Sequence, residues 1–438
     1  MSQHRTTAEL AAVRADRAAA RVVTGLDLPE DPLAGRAGRR GDGRAQITGM
    51  PALLLLASLT VSMLASSGAP TPLYAIYQQR WGFTPITTTI IFGIYAITVL
   101  VALLVFGRLS DYTGRRPVLL AAIAVQAASL VVFATAGGVG DLIAARVIQG
   151  ISAGAALGAI GAGMLDIDRE RGALANALTP GMGTGTGVLL SSLAVQFLPA
   201  PTRLIYLVLL GVLTAQAIGV LLLRETVTRA PGALRSLVPD VSLPAATRGP
   251  MLAAAPVVFA VWALAGLMAA LGPELVHALT GSASVLAGGA DVTLMTVAAI
   301  VATFTLRNTA ATTVMLTGIG ALIGGSAIVL AALGTGSAAV LFLGTAVSGF
   351  GFGAGFQGGI RTVVPAAKPH ERAGVLSLLF VLSYLGMGGP VVIAGYAVVH
   401  GQGLVGAARE YAIGLIVLAV FALAALARTS RTRRVRAA

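Results

Sequence analysis

The chain has no cysteine and little charge, and each shortage excludes a class of function. Without cysteine, disulfide bonds, thiolate catalysis and cysteine-ligated metals are excluded. The four histidines, His4, His277, His370 and His400, are far apart in the sequence and lack the spacing of metal ligands. We therefore predict no metal site and no cofactor. Charged residues make up only 11% of the 438 residues, too few to cover a soluble protein of this length.

Apolar residues are correspondingly abundant, at 56% of the chain, and the mean hydropathy is +0.87. Runs of about 20 residues with few charges recur from Met50 to Ala427. Inside lipid every backbone polar group must be bonded within the protein, so each run predicts a helix. The alternating strands of a membrane barrel, each about 10 residues long, are not present. The sequence therefore predicts an all-α integral membrane protein.

We predict about twelve transmembrane helices in two six-helix bundles. The predicted spans are 51–75, 85–106, 117–137, 139–163, 173–197, 203–223, 252–272, 283–306, 310–333, 337–360, 374–399 and 408–427. Residues 224–250 contain four prolines and four arginines, which is typical of a linker. We therefore predict an N-terminal bundle over 50–223, a cytoplasmic linker over 224–250, a C-terminal bundle over 251–427 and a basic cytoplasmic tail over 428–438.

The first 49 residues are hydrophilic and contain neither the apolar stretch nor the small-residue cleavage site of a signal peptide. Because Met50 opens the first span directly, two interpretations remain. The segment 1–49 is either a disordered cytoplasmic tail or an artefact of start-site choice.

The arginines predict the orientation of the chain. Of the 30 Lys and Arg residues, 26 fall on the side of the termini and the linker, whereas only Arg80, Arg203 and Arg409 fall on the other side. Arg146 lies inside a span. This asymmetry predicts a multi-pass protein of the cytoplasmic membrane with both termini cytoplasmic. It also explains the net charge of +13 without nucleic acid, since the arginines are spread over short loops rather than clustered on one face.

The two sets of helices resemble each other at a constant offset of 201 residues. The matching positions are Gly150, Gly154 and Gly158 with Gly351, Gly355 and Gly359; Glu170 and Arg171 with Glu371 and Arg372; Gly185 and Gly187 with Gly386 and Gly388; and Ala69 and Pro72 with Ala270 and Pro273. Because each set has an even number of spans, the repeats are parallel, as in transporters whose site lies between the halves.

The loop after the second helix carries the most specific motif, Gly107-Arg-Leu-Ser-Asp111-Tyr-Thr-Gly114-Arg115-Arg116. Gly107 permits close helix approach and Gly114 a tight turn, while Asp111 can accept hydrogen bonds from Arg115 or a helix N-terminus and so latch one conformation. The alternative is that the arginines only set topology. The loop resembles the signature Gly-x-Leu-(Ala/Ser)-Asp-x-x-Gly-Arg-(Arg/Lys) of the major facilitator superfamily. That resemblance implies transport of a small molecule by alternating access.

In the fourth helix, Arg146, Gln149 and Gly150 resemble the Arg-x-x-Gln-Gly element of proton-coupled carriers in that family, which implies a cation beside the translocation path. The alternative is that Arg146 reaches the headgroups at the outer surface. In some drug/proton antiporters an acid in the first helix partners this element, yet residues 51–75 contain no acid. Any proton coupling therefore uses another carboxylate.

Two carboxylates remain for that role. Asp291 is the leading choice, although it is also placed to cap a helix that begins late, after Gly288 and Gly289. Glu274 follows Pro273 near the outer end of the seventh helix, where we expect it to be interfacial.

The fifth helix has Gly172, Gly181 and Gly185 in the register of the exporters' antiporter motif, although Thr186 stands where that motif has proline. Ordinary packing of small residues explains these glycines as well.

Taken with the resemblance, these features predict proton-coupled efflux of small amphipathic molecules by a monomeric antiporter that contacts lipid and binds no nucleic acid. Two alternatives are a facilitator or importer of a polar nutrient, and a non-transporting receptor or scaffold. No Ser/His/Asp, metal-ligand or phosphate-cradling pattern supports an enzyme.

Overall fold

The computed structural model describes residues 46–281 and 284–437. The predicted tail as far as residue 45 lies outside the described residues. The described chain is helical apart from the segment 223–244 and shorter connections. Its long helices are α1 (Gly49–Trp81), α2 (Pro85–Phe106), α3 (Arg115–Thr135), α4 (Val139–Ile167), α5 (Arg169–Phe197), α6 (Pro201–Leu222), α7 (Ala245–Thr280), α8 (Val285–Thr305), α9 (Ala311–Thr335), α10 (Ala338–Val363), α11 (Arg372–His400) and α12 (Gly403–Ala437).

Eleven of these helices are long and apolar enough to cross a membrane, which confirms an all-α multi-pass fold in the described part of the chain. The exception is α5, which begins with charged residues and contains Pro180. It packs between α1 and α8, so helix neighbours cover much of its surface.

Several boundaries differ from those predicted. Helix α7 begins at Ala245, inside the stretch 224–250 that we predicted as linker, and continues through three prolines for 36 residues. Helix α12 continues to Ala437, through the predicted basic tail. Hydropathy marks only the apolar centre of a helix, so polar turns that extend from the membrane are missed.

The helices of each half pack mainly on one another. In the first half, α4 contacts α2 and α3, and α1 contacts α5; in the second half, α10 contacts α8 and α9, and α7 contacts α11. The halves meet where α2 contacts α11 and where α5 contacts α8. The backbone N–H of Ile47 donates to Leu222 at 2.8 Å, so the start of α1 and the end of α6 lie at the same face. We call this face, which also carries the segment 224–244, the linker face.

Glycines set the repeat register of the helix packing, and the offset in α4 and α10 is 199 residues rather than 201. A Cβ on Gly154 would lie 2.6 Å from the Cβ of Ala102 on α2, and a Cβ on Gly353 would lie 2.2 Å from the carbonyl oxygen of Ala299 on α8. Gly154 and Gly353 therefore each allow the close approach of the second helix of their own half, and they are 199 residues apart. Gly355, at the predicted offset, faces α7 instead.

The same correction holds for α5 and α11. Gly187 approaches Ala65 of α1, and Gly386 approaches Phe259 of α7, so each contacts the first helix of its own half. These two glycines are again 199 residues apart. Gly185 and Gly388 contact the opposite half. Because an α-helix turns about 100° per residue, a two-residue shift moves a side chain to the other side of the helix.

Candidate functional site

A break in α1 prepares the site around Arg146. The helix has two segments, Gly49–Gly68 and Pro70–Trp81, and Pro70 has no N–H for the carbonyl of Ser66. Gln149 supplies the missing donor from α4, with its Nε2 donating to the Ser66 carbonyl at 3.0 Å. Arg146 Nη1 donates to the next carbonyl, that of Ser67, at 3.0 Å. Arg146 and Gln149, three residues apart on α4, therefore both donate to backbone carbonyls at the break in α1.

The guanidinium of Arg146 is fully buried among aromatic rings. Its Nη1 donates to Gln149 Oε1 at 2.7 Å and its Nε to the Tyr74 hydroxyl at 2.9 Å. Its Cζ lies 4.9 Å from the ring centre of Tyr95, 5.7 Å from that of Tyr74 and 5.8 Å from that of Phe133. Such rings stabilise a cation through their negative faces. The side chain is 0% exposed, so the alternative that it reaches the headgroups is wrong.

The charge of Arg146 is not balanced by an acid. Among the described residues no carboxylate lies within ion-pair distance of it, and its Nη2 has no hydrogen-bond partner. A buried cation without an anion is costly in a membrane interior, which makes Arg146 a functional candidate.

Asp291 lies inside a helix and is buried. Helix α8 begins at Val285, with Ser284 at the capping position, so the alternative that Asp291 caps a late helix is wrong. The residue is 1% exposed, and its Oδ1 has no hydrogen-bond partner in the described structure. The hydroxyl of Thr345 on α10 lies beside it. Oδ2 points toward Gly272 of α7.

Arg146 and Asp291 lie at similar depths in different halves. Arg146 is seven residues from the start of α4 and Asp291 six from the start of α8, which is about 10 Å along each axis. Arg146 contacts α1, α2 and α3, whereas Asp291 lies against α7 and α10. No ion pair joins them in the described part of the chain.

Glu274, which we expected at the interface, takes part in a contact between the halves. Gln78 on α1 donates from Nε2 to Glu274 Oε1 at 2.7 Å and to the hydroxyl of Thr88 on α2 at 2.7 Å. These residues lie at the face opposite the linker face. Glu274 thus helps to join the halves at that face.

The signature loop forms an ion-pair network around Arg115, which is 8% exposed. Arg115 pairs with Asp111 at 2.5 Å and with Asp166 at the end of α4 at 3.2 Å, and it donates to the Ser110 hydroxyl at 2.6 Å. Arg108 pairs with Asp240 of the linker at 3.2 Å. Asp111 thus bonds Arg115, one of the two partners that the sequence predicts.

The N-terminus of α3 has a different acceptor, which sequence reasoning missed. Glu225, three residues after α6, accepts from the backbone N–H of Arg115 at 2.8 Å and of Arg116 at 3.0 Å. Gly114 precedes them at φ +98°, and a Cβ there would lie 2.7 Å from the Glu225 carboxylate. The acidic residue among the arginines after α6 was the available signal, because an anion favours a helix N-terminus.

The glycines of the fourth and fifth helices pack closely. Gly150 meets Thr98 of α2, whereas Gly181 and Gly185 meet Ile300 and Thr296 of α8, across the boundary between the halves. Two of the three fifth-helix glycines, Gly181 and Gly185, therefore lie where the two halves meet. Gly172 instead contacts the neighbouring backbone of α4.

Comparison with known proteins decides the family. The family model of the Major Facilitator Superfamily matches residues 55–390, which is most of the chain. The chain belongs to the major facilitator superfamily. This major facilitator protein is therefore a membrane transporter of a small molecule, and not an enzyme.

Solved structures agree on the fold. The nucleoside transporter NupG aligns with 15% identity and a TM-score of 0.61, covering 87% of this chain and 99% of that chain. The human organic anion transporter MFSD10 aligns with 17% identity and a TM-score of 0.65, covering 86% of this chain and 98% of that chain. At such identities the likeness shows the fold alone. No curated protein matches the sequence.

Proposed function

We propose that this major facilitator protein exports small amphipathic molecules in exchange for protons. The observation that carries the proposal is the carboxyl of Asp291, buried six residues from the start of α8 with one oxygen unpartnered in the described structure. A buried carboxylate needs a cation beside it, because burying an unpaired charge costs roughly several kcal/mol. The smallest cation that can reach it is a proton.

Coupling also needs the proton site to respond to the substrate. Helix α8 contacts α5 of the other half, and Gly185 of α5 lies against Thr296, five residues after Asp291. Movement of one half against the other therefore changes the packing around the helix that carries Asp291. Arg146 holds a fixed positive charge at similar depth in the first half, which opposes entry of a second cation there.

An amphipathic substrate fits the scarcity of buried charge. Among the described residues, the buried ionisable side chains with formal charge are Arg115, Arg146 and Asp291, and Arg115 lies in the signature loop. A path with so few charges favours molecules that are largely apolar. Nucleoside and organic anion are the substrates printed for NupG and MFSD10, and they belong to those proteins.

The proposal also assigns a role to the signature loop and an orientation to the chain in the membrane. The Asp111–Arg115 pair holds the turn after α2 in one conformation, and the linker face is cytoplasmic, with Arg108, Arg115 and Arg116 on that side. Reporter fusions after Arg80 and after Arg235 test the orientation. A signal for a cytoplasmic Arg80 loop contradicts it.

The coupling is tested in proteoliposomes with an imposed pH gradient and a panel of amphipathic dyes, ethidium among them. Asp291→Asn is expected to abolish gradient-driven accumulation while downhill exchange persists. Asp141→Asn is the control, because Asp141 is an exposed acid in the first turn of α4. Normal accumulation by Asp291→Asn contradicts proton coupling at this site.

A further inference from the structure

Four aromatic side chains from three helices of the second half meet in one cluster. The Trp262 ring on α7 lies 5.6 Å from Phe352, 5.3 Å from Phe356 and 5.5 Å from Tyr384, measured between ring centres. The two phenylalanines meet Trp262 edge to face, at 70° and 83°. We call these four residues the aromatic cluster.

The aromatic cluster lies near mid-membrane depth and faces the first half. Its members are near the middles of α7, α10 and α11. On α10, Gly353 faces α8 and Gly355 faces α7, so Phe352 and Phe356 project between these two directions. Tyr384 lies on α11, which packs against α2 with Gly388 beside Ala96, and Tyr95 of α2 is the closest of three rings to the guanidinium of Arg146. The cluster thus lies where the two halves approach each other.

Two features distinguish the aromatic cluster from ordinary core packing. Trp262, Phe352 and Phe356 are only partly buried, although they lie on helices that pack together. The indole Nε1 of Trp262 is nevertheless buried, and it has no acceptor among the described residues. A buried tryptophan N–H ordinarily has a hydrogen-bond partner. A donor left unpaired beside the partly buried rings of Phe352 and Phe356 is suited to a ligand that brings its own acceptor.

We propose that the aromatic cluster binds planar aromatic substrates that carry a hydrogen-bond acceptor. The ring of the substrate stacks on Phe352, Phe356 or Tyr384, and its acceptor receives the Trp262 N–H. This inference rests on the proposed export function and deepens it by naming the substrate class. Aromatic contact favours a flat ring over a saturated one of equal size, because the gain from ring geometry adds to that from buried area.

The chain itself provides the probe, since Trp81 and Trp262 are its two tryptophans. Trp81 stacks on Tyr77 with 4.8 Å between ring centres, and Trp81→Phe preserves a ring there while leaving Trp262 as the sole tryptophan. The purified full-length W81F protein is titrated with 2-naphthamide and with its saturated counterpart, decahydronaphthalene-2-carboxamide. The two compounds share the amide acceptor and differ in the flat ring.

Saturable quenching of Trp262 fluorescence is expected for 2-naphthamide. The saturated compound has no aromatic chromophore, so its affinity is measured by how well it displaces 2-naphthamide, and it should bind about tenfold more weakly. In the W81F background, Phe352→Leu should weaken binding of 2-naphthamide. Phe342→Leu should leave it unchanged, because Phe342 lies on the same helix but packs in a separate apolar cluster around Leu341 and Val329. Equal melting temperatures of the two variants exclude misfolding as the cause.

Equal affinities for the two amides, or no quenching by 2-naphthamide, overturn the inference. If quenching is absent while dyes still accumulate in proteoliposomes, the export function stands and the aromatic site fails. If quenching is saturable and ring-dependent but no gradient-driven accumulation occurs, the aromatic site stands and proton-coupled export fails. Binding and accumulation therefore report on the two proposals separately.

Discussion

The two halves of the molecule place different chemistry at equivalent positions. In the packing register of 199 residues, Arg146 of α4 corresponds to Thr345 of α10. In the first half the arginine lies against Tyr95 of α2, whereas in the second half the threonine lies beside Asp291 of α8. One half therefore buries a cation and the other an acid. The repeat preserves how helices approach one another, and it leaves the buried polar groups free to diverge.

The loops after α2 and α8 differ in the same way. In the first half, Arg115 is held by Asp111 and by Asp166 of α4. In the second half the acids are missing, and Arg361 of α10 donates to the carbonyls of Leu306 and Thr309 instead. Each loop is bonded by an arginine of its own, Arg115 in the first half and Arg361 in the second. Only the first loop contains a carboxylate that can exchange partners. We infer that the first loop is the one that latches and releases.

The largest effect on stability and transport is expected when Arg146 is replaced by threonine, the residue at the equivalent position 345 of the second half. Arg146→Thr leaves the Gln149 amide oxygen buried and without its donor, and it removes the bond to the Ser67 carbonyl. We expect a loss of about 3 kcal/mol in the free energy of unfolding, and no transport. Thermal unfolding in detergent and dye transport measure both. The exposed Arg203 supplies the control Arg203→Thr. Equal behaviour of the two variants means that the hydrogen bonds of Arg146 are dispensable.

A smaller effect tests the packing register itself. Gly154→Ala and Gly353→Ala should each cost about 1–3 kcal/mol, because each Cβ meets backbone of a neighbouring helix. Gly355→Ala should cost less, since its Cβ meets only the side chains of Val257 and Val261, at 3.0 Å. Gly320→Ala, with open space around it, is the control. A larger melting-temperature loss for Gly355→Ala than for Gly353→Ala contradicts the 199-residue register.

The contrast between the loops predicts a loss of transport with little loss of stability. Asp111→Asn weakens the ion pair with Arg115, but Arg115 keeps its ion pair with Asp166. The free energy of unfolding should therefore change by about 1 kcal/mol or less. Gly114→Val is strained at φ +98° and meets Glu225, so it should lower the free energy of unfolding more than Asp111→Asn does. Both variants should insert normally and transport slowly. Arg361→Gln tests the second loop, and an equal transport defect there would remove the distinction between the loops.

The smallest effect is expected at Glu274. Glu274→Gln keeps an oxygen acceptor for Gln78, so the free energy of unfolding should change by less than about 1 kcal/mol. Gradient-driven accumulation should persist, in contrast to Asp291→Asn. Vesicle transport with and without a pH gradient decides between them. Loss of accumulation in Glu274→Gln would transfer the coupling role to this residue.

Parts of the candidate site were visible in the sequence for physical reasons. Asp111 and Arg115 are four residues apart in one loop, so local geometry alone brings them together. Pro70 lies inside the predicted span 51–75, and neither the break that it makes in α1 nor the bond of Gln149 to that break was predicted. Glu225, by contrast, bonds Arg115 from 110 positions away, so the sequence around Glu225 marks an unusual acid but does not identify its partner.

The sequence by itself determined the number and order of the long helices and the family. It did so because lipid forces every long apolar run into a helix, whatever its neighbours are. Only the tertiary structure decided which side of each helix faces which partner. A shift of two residues reverses that side, so the 201-residue repeat found the right helices and the wrong glycines. The aromatic cluster depends on the same rotation, since Trp262, Phe352 and Tyr384 meet only when three separate helices have packed.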